Sequence, residues 1–292
     1  MPRHFLTGAE LSPEELVALI DRAIELKRAP DSSALLARRG IALIFEKPST
    51  RTRVSFEAGI AELGGYPMVL RTEDLQLSRG ESVRDTAYVL SRHVAAIAIR
   101  TGSDDLAEEL AEHAGVPVIN MLTARHHPCQ ALADLLTLRE TFGPLQGLKL
   151  AYVGDGNNVA RSLATIGLLA GVEVRIASPP QYALDDPPPG ALPLEDPREA
   201  VQGADAVYTD VWASMSDDPG SAAERRRALA PYQLDDELLN LASIEAIALH
   251  CLPAHPGEEI TAEVLYGPRQ RIWDQVENRR HAQKALLELL VG

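Results

Sequence analysis

The sequence predicts an α/β protein of two domains, each with a central parallel sheet flanked by helices. Short apolar runs alternate with longer segments in which apolar residues recur every three to four positions, and this alternation continues along the chain. Polar clusters follow several of the apolar runs, where open parallel sheets place their ligand sites. The length of 292 residues is enough for one large or two ordinary domains.

The N-terminal half begins with a helix and continues with alternating strands and helices. Ser12 is a suitable N-cap, Pro13 suits the first helical position, and Glu15 completes a capping box. Apolar runs predict strands at 41–45, 68–70, 95–100 and 116–120. Helical spacing predicts helices at 82–93, 104–114 and 128–142.

A second alternating series follows the Gly-Pro and Gly residues of 143–147, so we place the domain boundary there. Strands are predicted at 148–153, 172–177, 206–209 and 246–250, and helices at 158–170 and 275–291. The stretch 179–197 is rich in proline and aspartate and has no periodicity, which predicts a surface loop.

The composition excludes several classes of protein. A net charge of −14 argues against general nucleic-acid binding, which needs a basic face. No apolar stretch approaches the roughly 20 residues that span a membrane, and residues 1–27 lack the apolar core of a secretion signal. The two cysteines, Cys129 and Cys251, form no disulfide framework, so we expect a reducing cytoplasm.

The run 47–55, Lys-Pro-Ser-Thr-Arg-Thr-Arg-Val-Ser, predicts a phosphate site. It lies between predicted strand 41–45 and a helical segment, where backbone N–H groups and the helix dipole favour an anion. Arg51 adds a bidentate donor fork. Hydroxyl donors come from Ser49, Thr50 and Thr52. The alternative is an ordinary capped helix with solvated arginines.

Two further polar groups follow apolar runs in the same half. Arg100 ends predicted strand 95–100. Its guanidinium either contributes to a ligand site or reaches the solvent while its aliphatic part packs on the protein. His127 and Gln130 are three residues apart at the start of helix 128–142, so both side chains can serve one ligand. The alternative is that His127 has only a structural role, but the nearby Gln130 favours a functional role for His127.

The turn 154–158, Gly-Asp-Gly-Asn-Asn, resembles half of a dinucleotide-binding fingerprint. The third glycine is absent because residue 159 is Val, and Ser178 stands where the ribose-binding acid is expected. The amides of Asn157 and Asn158 suit a carboxylate or amino group of a small substrate.

Asp210 and the segment 250–255 follow the last two predicted strands. Asp210 can hold an ammonium group, or it can cap a loop. The sequence His-Cys-Leu-Pro-Ala-His at 250–255 suggests zinc, but no second pair with metal-ligand spacing exists. His250 is a poor base for Cys251, because adjacent residues at a strand end point in opposite directions.

Together these motifs are similar to those of the aspartate/ornithine carbamoyltransferase family, and within it to the ornithine branch. Ser-Thr-Arg-Thr-Arg at 49–53 and His-Pro-Cys-Gln at 127–130 resemble its carbamoyl-phosphate half. The segments 210–215 and 250–253 resemble its ornithine half. The match covers nearly the whole chain and ends at Asn278-Arg279 in the last helix.

The resemblance implies an active site in the cleft between a carbamoyl-phosphate-binding domain, 1–143, and an ornithine-binding domain, 144–274. The last helix, 275–292, would return to the first domain. The family also implies a homotrimer, or a multiple of trimers, acting in arginine metabolism, with no cofactor and no metal. The implied reaction converts carbamoyl phosphate and L-ornithine into L-citrulline and phosphate.

The resemblance also implies a role for each matched residue. The phosphate would be held by Ser49, Thr50, Arg51 and Thr52. The carbamoyl end would contact Arg100, His127 and Gln130, and the same site would be completed by Cys251, Leu252 and Arg279. Ornithine would be held by Asn158, Asp210, Ser214 and Met215. The groups closest to the chemistry would be Arg100, His127, Cys251 and Asp210.

Two departures from the family pattern leave alternatives open. Ser216 replaces a usual glycine, and Pro256 replaces a frequent arginine, which removes a charge and a backbone N–H. These changes are compatible with transfer to another amine, such as putrescine or acetylornithine. A nicotinamide-dependent oxidoreductase and a non-catalytic binding protein are two further alternatives.

Overall fold

The computed structural model describes residues 2–29, 33–71, 73, 75–76, 80–212 and 219–292. The chain forms two compact units, the first made of residues 1–136 with 277–292 and the second of residues 137–276. Each unit is an α/β structure with its own parallel sheet, as the sequence predicts. Among the described residues, no helix is both long and apolar enough to cross a bilayer.

The first unit contains a four-stranded parallel sheet. Its strands are β1 (Gly40–Phe45), β2 (Tyr66–Arg71), β3 (Ala96–Arg100) and β4 (Val118–Leu122). They lie in the order β2-β1-β3-β4, so the order reverses between β1 and β3. All six residues of β1 are buried, because a central strand is covered on both faces.

One helix precedes β1, and one helix follows each of the four strands. They are α1 (Pro13–Arg28), α2 (Thr50–Glu62), α3 (Val83–Leu90), α4 (Asp104–His113) and α5 (Pro128–Phe142). The capping box predicted for α1 is present, since the Ser12 side chain accepts the Glu15 N–H and the Glu15 carboxylate accepts the Ser12 N–H. An apolar cluster that includes Ile44, Ile97 and Leu110 fills the space between sheet and helices.

The second unit contains a five-stranded parallel sheet. Its strands are β5 (Lys149–Val153), β6 (Glu173–Ala177), β7 (Leu192–Leu194), β8 (Ala206–Thr209) and β9 (Ile247–His250). They lie in the order β7-β6-β5-β8-β9, so this order reverses between β5 and β8. Its helices are α6 (Asn158–Leu169), α7 (Pro197–Val201), α8 (Pro219–Leu229), α9 (Asp236–Leu239) and α10 (Ala262–Leu265). The last helix, α11 (Ile272–Val291), begins in this unit, and its residues from Glu277 onward belong to the first unit.

Some of the predicted boundaries are wrong. The stretch 179–197 is not entirely a loop, because it contains a 3-10 turn at Pro180–Tyr182 and the edge strand β7. Pro193 is tolerated in β7 because an edge strand has one side without a hydrogen-bonded neighbour. Strand β4 begins two residues later than predicted, and α11 begins three residues earlier.

Ion pairs hold the second part of α11 against α1 and α2 within the first unit. The fully buried Lys284 donates from Nζ to Glu62 Oε2 at 2.7 Å, and Arg280 Nη1 lies 3.1 Å from Glu62 Oε1. Arg22 on α1 pairs with Glu288 at 2.7 Å. Glu62 therefore compensates two cations of α11, one of which has no access to water.

Replacing Glu62 by alanine is expected to destabilise the protein by about 3 kcal/mol, because removing one partner leaves a buried charge uncompensated. Urea unfolding followed by circular dichroism measures the change. Glu57→Ala is the matched control on the same helix, since its partner Arg53 is exposed and such a pair contributes about 1 kcal/mol or less. Equal losses in the two variants would contradict the role of Glu62.

Candidate active site

The first polar cluster lies where the strand order of the first sheet reverses. The carboxyl ends of β1 and β3 are adjacent there, which is the position at which open α/β sheets bind ligands. The chain leaves β1 and enters α2 at Ser49, and β3 ends at Arg100. The fold thus brings the 49–53 run and Arg100 to one edge of the sheet.

Ser49 is the N-cap of α2. Its backbone is extended (φ −156°, ψ 110°), and its side chain accepts the N–H of Thr52. Backbone N–H groups at the start of a helix point outward along its axis and can serve an anion. A cavity of about 310 Å³ opens beside this turn; Ser49 and Thr50 line it, with Arg53 and Arg71 among its other residues.

A buried guanidinium joins α11 to this cluster. Arg279 is 2% exposed; it donates from Nη2 to Thr52 Oγ1 at 2.8 Å and from Nη1 to Gln130 Oε1 at 2.9 Å. Both acceptors are neutral, and no described carboxylate lies within 4.0 Å of this guanidinium. A buried cation with only neutral partners is costly, so an anion bound at this site would stabilise it.

The hydroxyl of Thr52 is surrounded by donors. Its Oγ1 accepts from Arg279 at 2.8 Å and lies 3.5 Å from Arg100 Nη1. Because these contacts use the oxygen as an acceptor, the hydroxyl proton remains to be donated to a ligand. Thr52, Arg100, Gln130 and Arg279, all predicted from the sequence, therefore form one connected group.

His127 directly precedes α5, in surroundings that disfavour its charged form. It is 2% exposed, and burial lowers its pKa well below the ordinary value, with further lowering by the charges of Arg279, Arg100 and Arg51. A neutral imidazole carries one N–H and can act as a hydrogen-bond donor without adding charge. The neighbouring Cys129 is buried, and burial raises the pKa of its thiol to about 12, which disfavours the reactive thiolate.

The second polar cluster lies where the order of the second sheet reverses, between β5 and β8. Asn157 is the fourth residue of the Gly-Asp-Gly-Asn-Asn turn after β5; its side-chain oxygen caps α6 by accepting the N–H groups of Val159 and Ala160. Its side-chain nitrogen donates to Asp210 Oδ2 at 2.9 Å, directly after β8. Asn158, which the sequence singled out, is the first residue of α6.

The buried environment of Asp210 raises the pKa of its carboxyl group. Its side chain is buried, and desolvation raises its pKa, although His250 and a hydrogen bond from Asn157 partly oppose this rise. Tyr152 lies close by: burial and then the charges of Asp210, Asp155 and Cys251 raise the pKa of its phenol well above the usual value. A cation that reaches Asp210 would therefore relieve the cost of burying this carboxylate.

The end of β9 is held by a buried histidine–carboxylate pair. His250 Nδ1 accepts the Leu252 N–H at 2.7 Å, so Nε2 carries the proton that is donated to Glu259 Oε1 at 3.0 Å. Burial raises the pKa of Glu259, but hydrogen bonds from His250 and from the His255 N–H outweigh it and lower the pKa overall. With both ring nitrogens of His250 hydrogen-bonded, His250 is not available as a base for Cys251.

This pair fixes the unusual backbone that follows β9. Leu252 has a φ of 62°, and the peptide bond from Leu252 to Pro253 is cis. The N–H of Leu252 is bound to His250, so the left-handed conformation of a non-glycine residue is held by a buried partner. His255, Glu258 and Glu259 also bring ligand-type atoms within 4.8 Å of one another, but Arg226 pairs with Glu258 and His250 with Glu259.

Sequence reasoning missed Glu259, whose burial is a consequence of tertiary packing. The only local signal was an acidic residue a few positions after the His-Cys-Leu-Pro segment. Ser214 and Met215, predicted to hold ornithine, and the departure Ser216 lie outside the described residues. The other predicted residues are placed in two groups. Those of the first unit are Ser49, Thr50, Arg51, Thr52, Arg100, His127, Gln130 and Arg279, and those of the second are Asn158, Asp210, Cys251 and Leu252.

Two α/β units, each with a parallel sheet and a polar cluster at the point where the strand order reverses, define a class of α/β proteins that bind small molecules at their strand ends. Residues 3–140 match the aspartate/ornithine carbamoyltransferase carbamoyl-P binding domain, and residues 146–290 match the Asp/Orn binding domain of the same family. The chain belongs to the aspartate/ornithine carbamoyltransferase family.

Individual relatives agree with this assignment. Ornithine carbamoyltransferase from Acidothermus cellulolyticus is 52% identical over 307 aligned positions, covering 100% of this chain and 97% of the relative. The enzyme of the same name from Methanoculleus marisnigri is 49% identical, covering 100% and 98%. The solved structure of ornithine carbamoyltransferase from Pyrococcus furiosus has a TM-score of 0.94 at 44% identity, covering 100% of this chain and 97% of that one.

We predict that His127 does not titrate near pH 6.5, where an ordinary histidine does, because its surroundings disfavour the charged imidazolium. The measurement is an NMR titration of the ring between pH 6 and 8, with the resonance assigned by its loss in His127→Asn. The urea-unfolded chain is the control and should titrate near the ordinary value. A midpoint close to 6.5 in the folded protein would contradict the prediction.

Proposed function

We propose that this protein is an ornithine carbamoyltransferase. It transfers the carbamoyl group of carbamoyl phosphate to the δ-amine of L-ornithine, giving L-citrulline and phosphate. The observation that carries the proposal is the buried Arg279, which has neutral partners in Thr52 and Gln130 and so calls for an anion. Relatives about 50% identical over the full chain carry this name, which supports the same assignment.

The first unit is proposed to hold carbamoyl phosphate. The start of α2 supplies N–H groups to the phosphate, together with Ser49, Thr50, Arg51 and Thr52. The carbamoyl end faces Arg100, His127, Gln130 and Arg279. The Thr52 hydroxyl, which already accepts from Arg279, donates its proton to the carbamoyl oxygen. Each charge-assisted hydrogen bond of this kind contributes about 1.5–3 kcal/mol.

The second unit is proposed to hold ornithine. Asp210 binds an ammonium group, and Asn157 keeps the Asp210 carboxylate in place through their 2.9 Å hydrogen bond. Asn158, Ser214 and Met215 complete the amino-acid site. Cys251 and Leu252, whose backbone follows the buried His250–Glu259 pair, are proposed to complete the site.

The transfer step follows from these assignments. The lone pair of the neutral δ-amine attacks the carbamoyl carbon, and a C–N bond forms as the C–O bond to phosphate breaks. The phosphate leaves with the bonding electrons and accepts the proton released by nitrogen. Arg100, the neutral His127 and Thr52 stabilise negative charge on the carbamoyl oxygen, a role for which preorganised donors are effective.

The alternatives have less support. The hypothesis that the acceptor is an amine other than ornithine depends on Ser216 and Pro256 alone. The relatives named above are ornithine carbamoyltransferases. For a nicotinamide enzyme, the Gly-Asp-Gly turn lacks the third glycine, and its Gly156 packs directly against the backbone of 182–184.

The remaining features are proposed from the family. We assign carbamoyl phosphate to residues 1–143 with the helix 275–292, and ornithine to residues 144–274. A homotrimer, or a multiple of trimers, in the cytoplasm is expected, with a role in arginine metabolism and amino-acid biosynthesis. Size-exclusion chromatography with light scattering measures the oligomer directly.

The proposed function is tested by carbamoyl transfer to ornithine, putrescine, acetylornithine and lysine in parallel, with colorimetric detection of the ureido product. We expect turnover with ornithine and at least tenfold lower kcat/KM with the others. Turnover only with another amine would overturn the ornithine assignment and retain carbamoyl transfer. No turnover with all four amines would overturn the enzymatic assignment.

Binding of the amino acid is expected to weaken as pH falls through the raised pKa of Asp210, because only the carboxylate form attracts an ammonium group. Affinity is therefore full above this pKa and is lost below it, at a higher pH than for an ordinary aspartate. The ligand for this measurement is L-norvaline, which lacks the δ-amine and so cannot react with carbamoyl phosphate. Its binding is measured by calorimetric titration in the presence of carbamoyl phosphate.

Asp210→Asn is the matched variant for this pH dependence. It keeps the side-chain shape, and we expect norvaline binding to weaken roughly 10- to 100-fold at pH 8 through loss of a charge-assisted bond. Its remaining binding should show no step at the pH where wild type weakens. Superimposable pH profiles of the two proteins would argue against the role of Asp210.

A further inference from the structure

The guanidinium of Arg225 on α8 joins two segments that are far apart in the sequence. Its Nη1 donates to Asp155 Oδ2 at 2.8 Å, and its central carbon lies 4.6 Å from the centre of the Tyr182 ring. Asp155 belongs to the turn after β5, and Tyr182 to the proline-rich stretch after β6. The planar cation is thus held by a carboxylate and an aromatic face at once, a combination that lysine reproduces poorly.

The two segments are also packed directly against each other. The N–H of Gly156 donates to the Tyr182 carbonyl at 2.8 Å. A Cβ at position 156 would lie 2.5 Å from the Leu184 nitrogen and 2.7 Å from the Tyr182 oxygen, so only glycine allows this approach. The turn is therefore held both by backbone contact with residues 182–184 and by Arg225.

The turn carries the groups that define the second polar cluster. The Asn157 N–H donates to the Asp155 carbonyl at 2.8 Å, and the Asn157 side chain donates to Asp210 at 2.9 Å. The Tyr152 hydroxyl donates to Asn157 Oδ1 at 3.3 Å. A continuous series of contacts thus runs from Arg225 through Asp155 and Asn157 to the carboxylate of Asp210.

We propose that Arg225 is a positioning residue for the amino-acid substrate: held between Asp155 and the Tyr182 ring, it fixes the 154–158 turn and so orients Asn158 and Asp210. The inference rests on the proposed function, because it assigns the amino acid to this cluster. Arg225 does not touch the substrate. Its charge also neutralises Asp155, which would otherwise offer the substrate ammonium a second carboxylate near Asp210.

A merely structural ion pair would have a different consequence. Its loss would lower stability or kcat without distinguishing between the two substrates. Loss of a positioning residue for the amino acid raises the KM for ornithine and leaves the KM for carbamoyl phosphate unchanged, because the network of Thr52 and Arg279 belongs to the other unit.

The test compares Arg225→Met with Arg227→Met, an exposed arginine two residues further along α8. For Arg225→Met we expect the KM for ornithine to rise about tenfold and the KM for carbamoyl phosphate to change less than twofold. Arg227→Met should match wild type in both constants. Unchanged KM values in Arg225→Met, or equal rises for both substrates, would overturn the proposal.

A second variant, Asp155→Asn, removes the charge of the other partner in the same contact. It keeps the proposal testable if Arg225→Met does not fold. We expect a similar rise in the KM for ornithine, and the double variant should be no worse than either single variant. Fully additive effects would contradict a shared role. Absence of ornithine turnover in wild type would overturn the proposed function itself, whereas wild-type turnover with unaltered variants would overturn only the positioning role.

Discussion

The burial of the Arg279 guanidinium is the constraint on which the first site depends. A cation that is 2% exposed must be compensated, and its two hydrogen-bond partners, Thr52 and Gln130, are uncharged. Thr52 lies in the first turn of α2 and Gln130 in the first turn of α5, so one guanidinium bridges two helix N-termini. Burial above all, and then the charges of Arg279 and two other arginines, lower the pKa of His127 and disfavour its charged form.

The second site follows the same topological rule but has the opposite charge. In both sheets the strand order reverses at the edge where the polar side chains meet. The first sheet gathers arginines there, and the second buries a carboxylate, Asp210, whose pKa is raised. This difference suits the proposed substrates, because carbamoyl phosphate is an anion and ornithine carries ammonium groups.

The sequence was most informative where a local pattern is strong. Strand β1 is a continuous apolar run with all its residues buried, and α5 has the bounds that its leucine spacing predicts. Strand β7 could not be predicted, because Leu-Pro-Leu is too short and Pro193 argues against a strand. Helix α8 is rich in alanine and arginine with little segregation of apolar residues, so no periodicity marks it.

The same limit applies to the candidate site. Residues in recognisable motifs, such as Thr52 and Gln130, were found because the motif itself implies a ligand. Glu259 and Tyr182 were not, because their contacts with His250 and Arg225 exist only after the chain has folded. Partners of this kind cannot be found by local spacing, since they depend on which side chains are buried together.

The contact between Thr52 and Arg279 spans 227 positions, and this separation has a consequence for synthesis on the ribosome. At about 5–20 residues per second, Arg279 is made roughly 10–45 s after Thr52, and after the entire second sheet. Until Arg279 is synthesised, the Thr52 hydroxyl and the Gln130 side-chain oxygen of the nascent first unit lack the guanidinium that donates to them. All five strands of the second sheet can therefore pair before the candidate anion site of the first unit is complete.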